Sequence, residues 1–463
     1  MSDEIVIKLE DKERIYELIK TSLDLFTGSN QQLANNYITG ELNLTIFERK
    51  TIILGKLLDK ESNYNLKSKL KNLQFSHGLK DNRYFNPLHD ALKEIKREQI
   101  SDGDLLKIFL EKLDTYLETI KNKPLIEYTL IFPLNLNFGD GIPVEFLQKY
   151  EDIRIQLVPQ INDYSQTIRE YINTEYPSEN TIFDENKEVR ELFRACSDFG
   201  THYFIVKVHA RNIGFAVKKA VYDLEVNVGV YAFVIYQGRG VISLGIGPFP
   251  SERSLTNIRI PLVYILEDDK CKSILFTYYE KPSRPKDISL KKLNKIADTI
   301  SIVQDIKRNK LYALLIEAFA NYYDALKTTS FSISFLKFWN ILEKLFLKKG
   351  GITLIEVTKR LKSTYPNKEP AKKDFEHLIN ILFHKRNLFV HETEDTITSD
   401  DRDFMKSMVE HVILTLLNFR LEFDDIGMLE FFYQNLRKPL RVIKKEFKVL
   451  ELLEKVKTSD IEE

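Results

Sequence analysis

Cysteine is scarce in this chain, which has only Cys196 and Cys271 among its 463 residues. Two cysteines exclude a framework of several disulfides and a cysteine-rich zinc site, and this usage is typical of proteins in a reducing compartment. We therefore expect both residues to be inert, buried thiols.

Long apolar runs are also missing. No run approaches the roughly 20 apolar residues that a transmembrane helix needs. The first residues, MSDEIVIKLEDKER, are acidic and lack the apolar core of a signal peptide. Together with the cysteine usage, these features predict a cytoplasmic protein.

The chain carries no excess of charge, because 68 Lys and Arg residues balance 68 Asp and Glu residues. Overall charge therefore indicates neither a nucleic-acid nor a membrane partner, and any such surface must come from local clustering. The length and an apolar content of 43% predict a folded protein of two or three domains.

The pattern of apolar and polar residues changes twice along the chain. Residues 1–122 show mostly helical spacing, whereas residues 123–290 mix short aromatic and β-branched segments, typical of strands, with a helical pattern that begins at Ile213. A segment rich in proline and charge, residues 281–292, marks the best domain boundary, and residues 291–463 are helical. The predicted fold class is α+β, with a mixed α/β N-terminal region followed by an all-α bundle.

Several local features of this division can be checked directly. The segment VNVGVYAFVIY is compatible with either helix or strand. Thr398, with Asp401 three residues later, predicts the start of a helix. A last helix is expected at about residues 429–457.

A line of polar side chains runs along the predicted helix around residues 377–391. Its members recur at steps of three and four residues and so stack on one face: His377, Asn380, His384, Asn387 and His391. Apolar neighbours flank these imidazoles and amides, which favours the lining of a cleft or a helix–helix seam. The alternative is a set of satisfied hydrogen-bonding groups in the core. Histidines seven residues apart are about 10.5 Å apart along a helix, too far to share one zinc ion.

Two charged residues, Arg386 and Glu343, belong to the same candidate site as this polar line. Arg386 lies about 100° around the helix from Asn387, so its guanidinium reaches the same space. Glu343 shares a largely apolar helical face with Trp339 and Phe346, and a carboxylate in such surroundings requires a partner. We expect Arg386 to be that partner; the alternative is that Glu343 lies at the rim and pairs with a nearby lysine.

Positive charge is concentrated around this segment although the whole chain is neutral. Residues 341–390 contain 11 Lys and Arg against five Asp and Glu, and residues 391–410 contain seven acidic against two basic residues. A basic surface attracts a phosphate backbone if its residues also cluster in space. The candidate contacts are Lys348, Lys349, Arg360 and Lys385; the alternative is an ordinary solvated surface.

Two motifs in this region resemble the HEPN ribonuclease superfamily. RNLFVH, residues 386–391, is similar to its Rx4-6H motif in the RNxxxH form, and the preceding FLKFWNILEKLF is similar to the second-helix signature of the Apea-like branch. The resemblance covers about residues 300–421, and a long N-terminal region before such a domain is also the layout of ApeA-type anti-phage proteins. Arg83 and His89 satisfy the bare spacing too, but Pro87 interrupts a polar loop there, so we treat that pair as a decoy.

The resemblance implies a HEPN-like bundle and metal-independent endoribonuclease activity, without a cofactor, at a composite site of two motif copies in a homodimer. His391 would transfer the proton that activates a ribose 2′-hydroxyl, and Arg386 would hold the scissile phosphate. Asn387 would position the imidazole or a phosphate oxygen, with Glu343 and His384 in supporting roles. The four basic candidates above would bind the RNA, and the product would be a 2′,3′-cyclic phosphate.

The resemblance also implies a biological setting. Similar proteins act as toxins or in anti-phage abortive infection by cutting tRNA or other host RNA. Residues 1–290 would then sense a phage-derived or small-molecule trigger, or select the RNA. The alternative is a non-catalytic HEPN domain that serves as an interaction or nucleotide-binding module, with the polar line forming a dimer seam.

Overall fold

The computed structural model describes most of the chain after residue 104. The described ranges are 105–139, 145–177, 202–211, 213–238, 254–260, 262–276, 286–346, 354–364, 371–392, 394–419, 426–436 and 438–459, with isolated positions 19, 91, 92, 95, 141, 143, 190 and 191. Most of the predicted helical region 1–122 lies outside these residues. So do Cys196, Lys348, Lys349 and the Arg83–His89 pair.

The β part of the fold is a five-stranded antiparallel sheet. Its strands are β1 (Ile126–Leu134), β3 (Ile153–Val158), β4 (His202–Ala210), β5 (Leu262–Glu267) and β6 (Lys270–Phe276), in the order β3–β4–β1–β5–β6. A short parallel pair joins β2 (Leu136–Asn137) to β7 (Lys286–Asp287). Asp268 and Asp269 form the turn between β5 and β6 with positive φ, which aspartate tolerates better than most residues.

Most of the other described residues are helical, and the predicted α+β class is confirmed. The helices with described bounds follow. They are α1 (Leu105–Asn122), α2 (Asn162–Glu175), α3 (Ile213–Tyr236), α4 (Leu290–Gln304), α5 (Lys310–Lys327), α6 (Phe331–Leu345), α7 (Leu354–Thr364), α8 (Ala371–Asn387), α9 (Ser399–Phe419), α10 (Ile426–Asn435) and α11 (Leu440–Ser459). Helix α6 packs against both α5 and α9. The core that they share includes Phe319, Phe338 and Trp339.

The ambiguous segment VNVGVYAFVIY is the second half of α3. Residues 226–236 are buried on every side, and a helix that is buried all round needs no amphipathic period. A Cβ at Gly229 would lie 2.2 Å from the Phe319 carbonyl oxygen of α5. Only glycine therefore permits this close backbone approach.

Two predicted boundaries in the helical region have different outcomes. The start of α9 is confirmed, because the Thr398 backbone N–H and hydroxyl both donate to Asp401 Oδ2 at 2.8 Å, and the Asp401 N–H donates to the Thr398 hydroxyl. The single last helix is wrong, because the chain forms α10 and α11 instead. Pro439 immediately precedes α11 and cannot donate a helical hydrogen bond, so the helix restarts there.

Internal contacts divide the chain into two compact units. One contains Met1–Thr129, Lys207–Ala220 and Ile265–Asp268, and the other contains Leu130–Val206, Val221–Tyr264 and Asp269–Glu463. The three-region division at residues 122 and 290 stays a prediction, and residues 286–287 of the expected linker lie in β7. Among the described helices, none is long and apolar enough to cross a membrane.

Candidate functional site

The motif from Arg386 to His391 spans the end of helix α8. Arg386 and Asn387 are the last two residues of the α-helix, and Leu388–Glu392 continue it as one turn of π-helix that contains His391. A π-turn inside or at the end of an α-helix is wider than the α-helix and occurs frequently at functional sites. The predicted α-helical register of the polar line therefore extends only to Asn387, and His391 follows on a wider turn.

The polar line lies on the surface of the chain. Four of its members are exposed and the fifth is half-buried: His377, Asn380, His384 and His391, and then Asn387. Buried Ile379 and Leu382 hold the opposite side of α8 in the core. The alternative of satisfied core groups is therefore wrong for these histidines. Ile381 on α8 and Val390 on the π-turn are also exposed, so a cleft or seam at this face would require a second surface.

Arg386 pairs with Glu343, as expected from the sequence. Arg386 Nη2 lies 3.9 Å from Glu343 Oε1, and the two side chains are 14% and 15% exposed. Arg386 Nη1 donates to Asn387 Oδ1 at 3.2 Å, while the buried Arg386 Nε has no hydrogen-bond partner. The neighbouring Lys344 binds Glu317 rather than Glu343. The guanidinium is thus anchored and retains unused hydrogen-bonding capacity.

Trp339 orients Glu343 from the preceding turn of α6. Its indole Nε1 donates to Glu343 Oε1 at 2.8 Å, and its ring, 2% exposed, packs near Phe335 and Phe383 with centroid distances of 6.3 and 6.1 Å. The oxygen that faces Arg386 therefore also accepts a hydrogen bond from a rigid, buried ring. Helical periodicity placed Trp339 on this face without predicting the hydrogen bond, although the spacing of four residues was the available signal for it.

The structure describes two of the four predicted RNA contacts, Arg360 and Lys385, and both bind groups of the fold itself. Arg360 is 3% exposed and donates to the Phe346 carbonyl oxygen at 2.7 Å, at the C-terminal end of α6. This burial corrects its prediction as an RNA contact, because the guanidinium stabilises a helix end inside the fold. Lys385 Nζ lies 2.6 Å from Asp401 Oδ2 and so binds the first turn of α9. The other two candidates lie outside the described part of the chain.

A second polar cluster, which the sequence analysis did not identify, joins α9 to the end of α3. We call it the Lys406–Glu410 network. Lys406 Nζ lies 2.6 Å from Glu410 Oε1, with 2% and 5% of the side chains exposed, and donates to the Tyr236 carbonyl oxygen at 2.8 Å. Glu410 accepts from the Tyr322 hydroxyl and the Gly238 N–H. Burial and the Glu410 carboxylate raise the pKa of Tyr322 well above its ordinary value.

Asp223 on α3 is a further buried titratable group. Its Oδ1 accepts from the Lys149 N–H at 3.0 Å, whereas its Oδ2 is buried without a hydrogen-bond partner. Burial raises the pKa of Asp223 to about 7, against the opposing effect of the Lys149 and Tyr150 backbone N–H groups. Asn227, one turn later, binds both the N–H and the carbonyl oxygen of Leu147. These contacts give Asp223 and Asn227 a structural role, because they fix residues 147–150 on α3.

Among the described residues, no group of three or more His, Cys, Asp or Glu side chains is arranged so that it could hold a metal ion. Cys271 is buried, as predicted, and forms no disulfide bond.

Comparison of the chain with protein-family models, with curated proteins and with solved structures found no match. The site's own geometry combines an exposed histidine on a π-turn with a nearby arginine that its own helix and α6 hold in place.

Proposed function

We propose that this protein is a metal-independent endoribonuclease of the HEPN type. The observation that supports this most is the junction of α8 with its π-turn, where the exposed His391 follows a guanidinium oriented by Glu343 and Asn387. An accessible imidazole transfers protons near neutral pH, and an oriented guanidinium stabilises charge on a phosphate. Both are needed to cleave RNA through its 2′-hydroxyl.

The reaction proceeds by internal transfer. His391 of one copy removes the proton of a ribose 2′-hydroxyl, and the 2′-oxygen attacks the adjacent phosphorus. The bond from phosphorus to the 5′-oxygen breaks as a second imidazole protonates the departing oxygen, which yields a 2′,3′-cyclic phosphate and a 5′-hydroxyl. One motif supplies one histidine, so a homodimer through the helical domain completes the site.

RNA is the substrate class because the reaction requires the 2′-hydroxyl, and tRNA is the first substrate to test. The proposal places the protein in the cytoplasm, as a toxin or in anti-phage defence by abortive infection. Residues 1–290 would respond to a phage-derived or small-molecule trigger, or would select the RNA.

A non-catalytic interaction or nucleotide-binding module is the second candidate function. The low exposure of Arg386 favours it, because the contacts with Glu343 and Asn387 leave little guanidinium surface for a phosphate. In that case the exposed face of α8 would serve as a binding seam.

Cleavage of a total tRNA pool by the purified full-length protein, with and without chelator, tests the proposal. We expect the wild type to release fragments that end in 2′,3′-cyclic phosphate, and His391→Ala to lose about 10²–10⁴-fold in rate. His209→Ala is the matched control, since it removes an imidazole half exposed on β4. Full cleavage by His391→Ala would refute the catalytic role, and an inactive wild type across many RNAs and triggers would favour the binding module.

A further inference from the structure

The chain around His391 has little core packing of its own. Between the buried side chains of Leu382 on α8 and Ile397 before α9, none of the described residues is buried, and these include the whole π-turn Leu388–Glu392. A segment is held most firmly by side chains that reach the core, and this stretch lacks that support in its described part. The position of the His391 imidazole therefore depends on polar contacts on the two sides of the turn.

Two ion pairs fix the chain before the turn. Arg386 Nη2 lies 3.9 Å from Glu343 Oε1 of α6, and Lys385 Nζ lies 2.6 Å from Asp401 Oδ2 in the first turn of α9. The two basic residues that make these contacts both precede His391 in the chain. The segment between the π-turn and α9 needs a contact of its own.

Asp395 supplies the contact on the far side of the turn. Its Oδ1 accepts a hydrogen bond from the hydroxyl of Ser332, which is 3% exposed in the first turn of α6. The same oxygen accepts from the Ile397 N–H at 3.3 Å, and this local turn orients the carboxylate. Just before Asp395, the Glu394 N–H donates to the Leu388 carbonyl oxygen at 3.3 Å and closes the π-turn. A hydrogen bond from a hydroxyl to a carboxylate is stronger than one between two neutral groups.

Helix α6 is the common support for both sides of the turn. Ser332 and Glu343 are 11 residues apart on α6, about 16 Å along its axis. The aromatic residues between them are buried in the core, so the helix cannot shift independently of the fold. A rigid helix that binds the chain both before and after His391 sets the distance between its imidazole and the Arg386 guanidinium.

We propose that Asp395 is a positioning residue, which holds the turn that carries His391 against α6 through Ser332. It does not touch the substrate, and it acts by fixing the imidazole relative to Arg386. This role rests on the proposed function, because the position of the imidazole matters only if His391 transfers a proton. A misplacement of about 1 Å costs about 10²-fold in rate, so one hydrogen bond outside the motif can control cleavage.

Hydrogen–deuterium exchange of the full-length protein, without RNA, tests how the turn is held. We expect the backbone amides of residues 388–394 to exchange about tenfold faster in Asp395→Ala than in the wild type, while those in the middle of α9 stay unchanged. Asp400→Ala is the matched control, since it removes an exposed carboxylate five residues later and should leave exchange at the turn unaltered. Unchanged exchange at residues 388–394 in Asp395→Ala would overturn the proposal.

Steady-state cleavage of the most readily cleaved tRNA of the pool tests the positioning role. Asp395→Ala should lower kcat about 10–100-fold with KM unchanged. Asp395→Asn keeps an oxygen acceptor for Ser332 and should recover most of the rate, which it would not do if the negative charge itself were required. Ser332→Ala should reproduce Asp395→Ala, and the double variant should be no slower than either single variant, because both changes remove one hydrogen bond.

The two measurements separate this role from the nuclease proposal. Faster exchange at the turn with an unchanged kcat, or no recovery with Asp395→Asn, would overturn the positioning role while cleavage by the wild type stands. A wild type that cleaves none of the RNAs would refute the nuclease and the positioning role together, even if Asp395→Ala loosens the turn.

Discussion

Two ion pairs of the helical region, Lys406–Glu410 and Arg386–Glu343, differ in how completely the fold satisfies them. The Lys406–Glu410 network is almost fully buried, and neighbouring backbone and hydroxyl groups also bind both partners. The Arg386–Glu343 pair is longer and lies nearer the surface, and it leaves Arg386 Nε without a partner. A satisfied buried network makes a fold rigid, whereas a partly satisfied pair nearer the surface holds its side chains less firmly. The contrast separates a structural pair from a candidate functional one.

Removing Glu410 should have the largest effect on stability and would test the structural side of this comparison. Glu410→Ala leaves the buried Lys406 ammonium without its carboxylate, and breaking a buried pair in this way costs about 3–5 kcal/mol. Urea unfolding at pH 7 measures the loss. Glu317→Ala is the control, because its pair with Lys344 is nearly half exposed and should contribute less than about 1 kcal/mol. Equal losses would show that burial does not distinguish the two pairs.

Replacing Arg386 tests whether the Arg386–Glu343 pair serves RNA cleavage. Arg386→Gln removes the charge that would hold the phosphate, so the rate of RNA cleavage should fall about 10²–10³-fold. Stability should change by only about 1 kcal/mol, because Trp339 still binds Glu343. Single-turnover cleavage and urea unfolding measure the two effects, with Lys373→Gln, an exposed residue of α8, as the control. If the cleavage rate falls only in proportion to the fraction of unfolded protein, Arg386 has a structural role, like Lys406 and Glu410.

Asp223 extends the comparison to a buried carboxyl group with one satisfied oxygen. Its pKa is about 7 in the folded protein against an ordinary value of 3.8, so the folded protein holds a proton that the unfolded chain has already lost. This stabilisation is complete below about pH 3.8 and is lost as the pH rises through 7, which lowers the unfolding free energy by about 2–3 kcal/mol between pH 5 and pH 8. Asp223→Asn keeps an acceptor for the Lys149 N–H and cannot titrate.

Urea unfolding at several pH values checks this prediction. The wild-type unfolding free energy should fall over that interval, and the Asp223→Asn profile should be flatter by the stated amount. Parallel profiles for the two proteins would mean that Asp223 does not hold its proton in the fold.

Trp339→Phe should have the smallest effect. It tests whether Trp339 contributes to RNA cleavage by positioning Arg386 through Glu343. The substitution removes the indole donor to Glu343 but keeps a ring near Phe335 and Phe383, so it should cost about 1 kcal/mol of stability. If Trp339 positions Arg386 through Glu343, kcat should fall severalfold while KM stays unchanged. An unchanged kcat would leave Trp339 with a packing role alone.

Much of the candidate site was predictable because its parts are close in sequence. Arg386, Asn387 and His391 lie within six residues, and helical periodicity alone placed Glu343 on an apolar face that requires a partner. Arg360 was predicted wrongly, because its charge does not reveal that it binds a backbone carbonyl inside the fold. The break before α11 was also missed, although Pro439 was a visible signal for it.

The sequence by itself determined the α+β class, the capped start of α9 at Thr398 and the arginine-to-histidine motif, because periodicity, capping and spacing are properties of neighbouring residues. Only the tertiary structure decided which charges are buried and which are accessible. Lys406 meets the Tyr236 carbonyl 170 positions away, while His391 stays at the surface on a π-turn. Burial depends on which distant surfaces pack together, and local sequence does not encode that pairing.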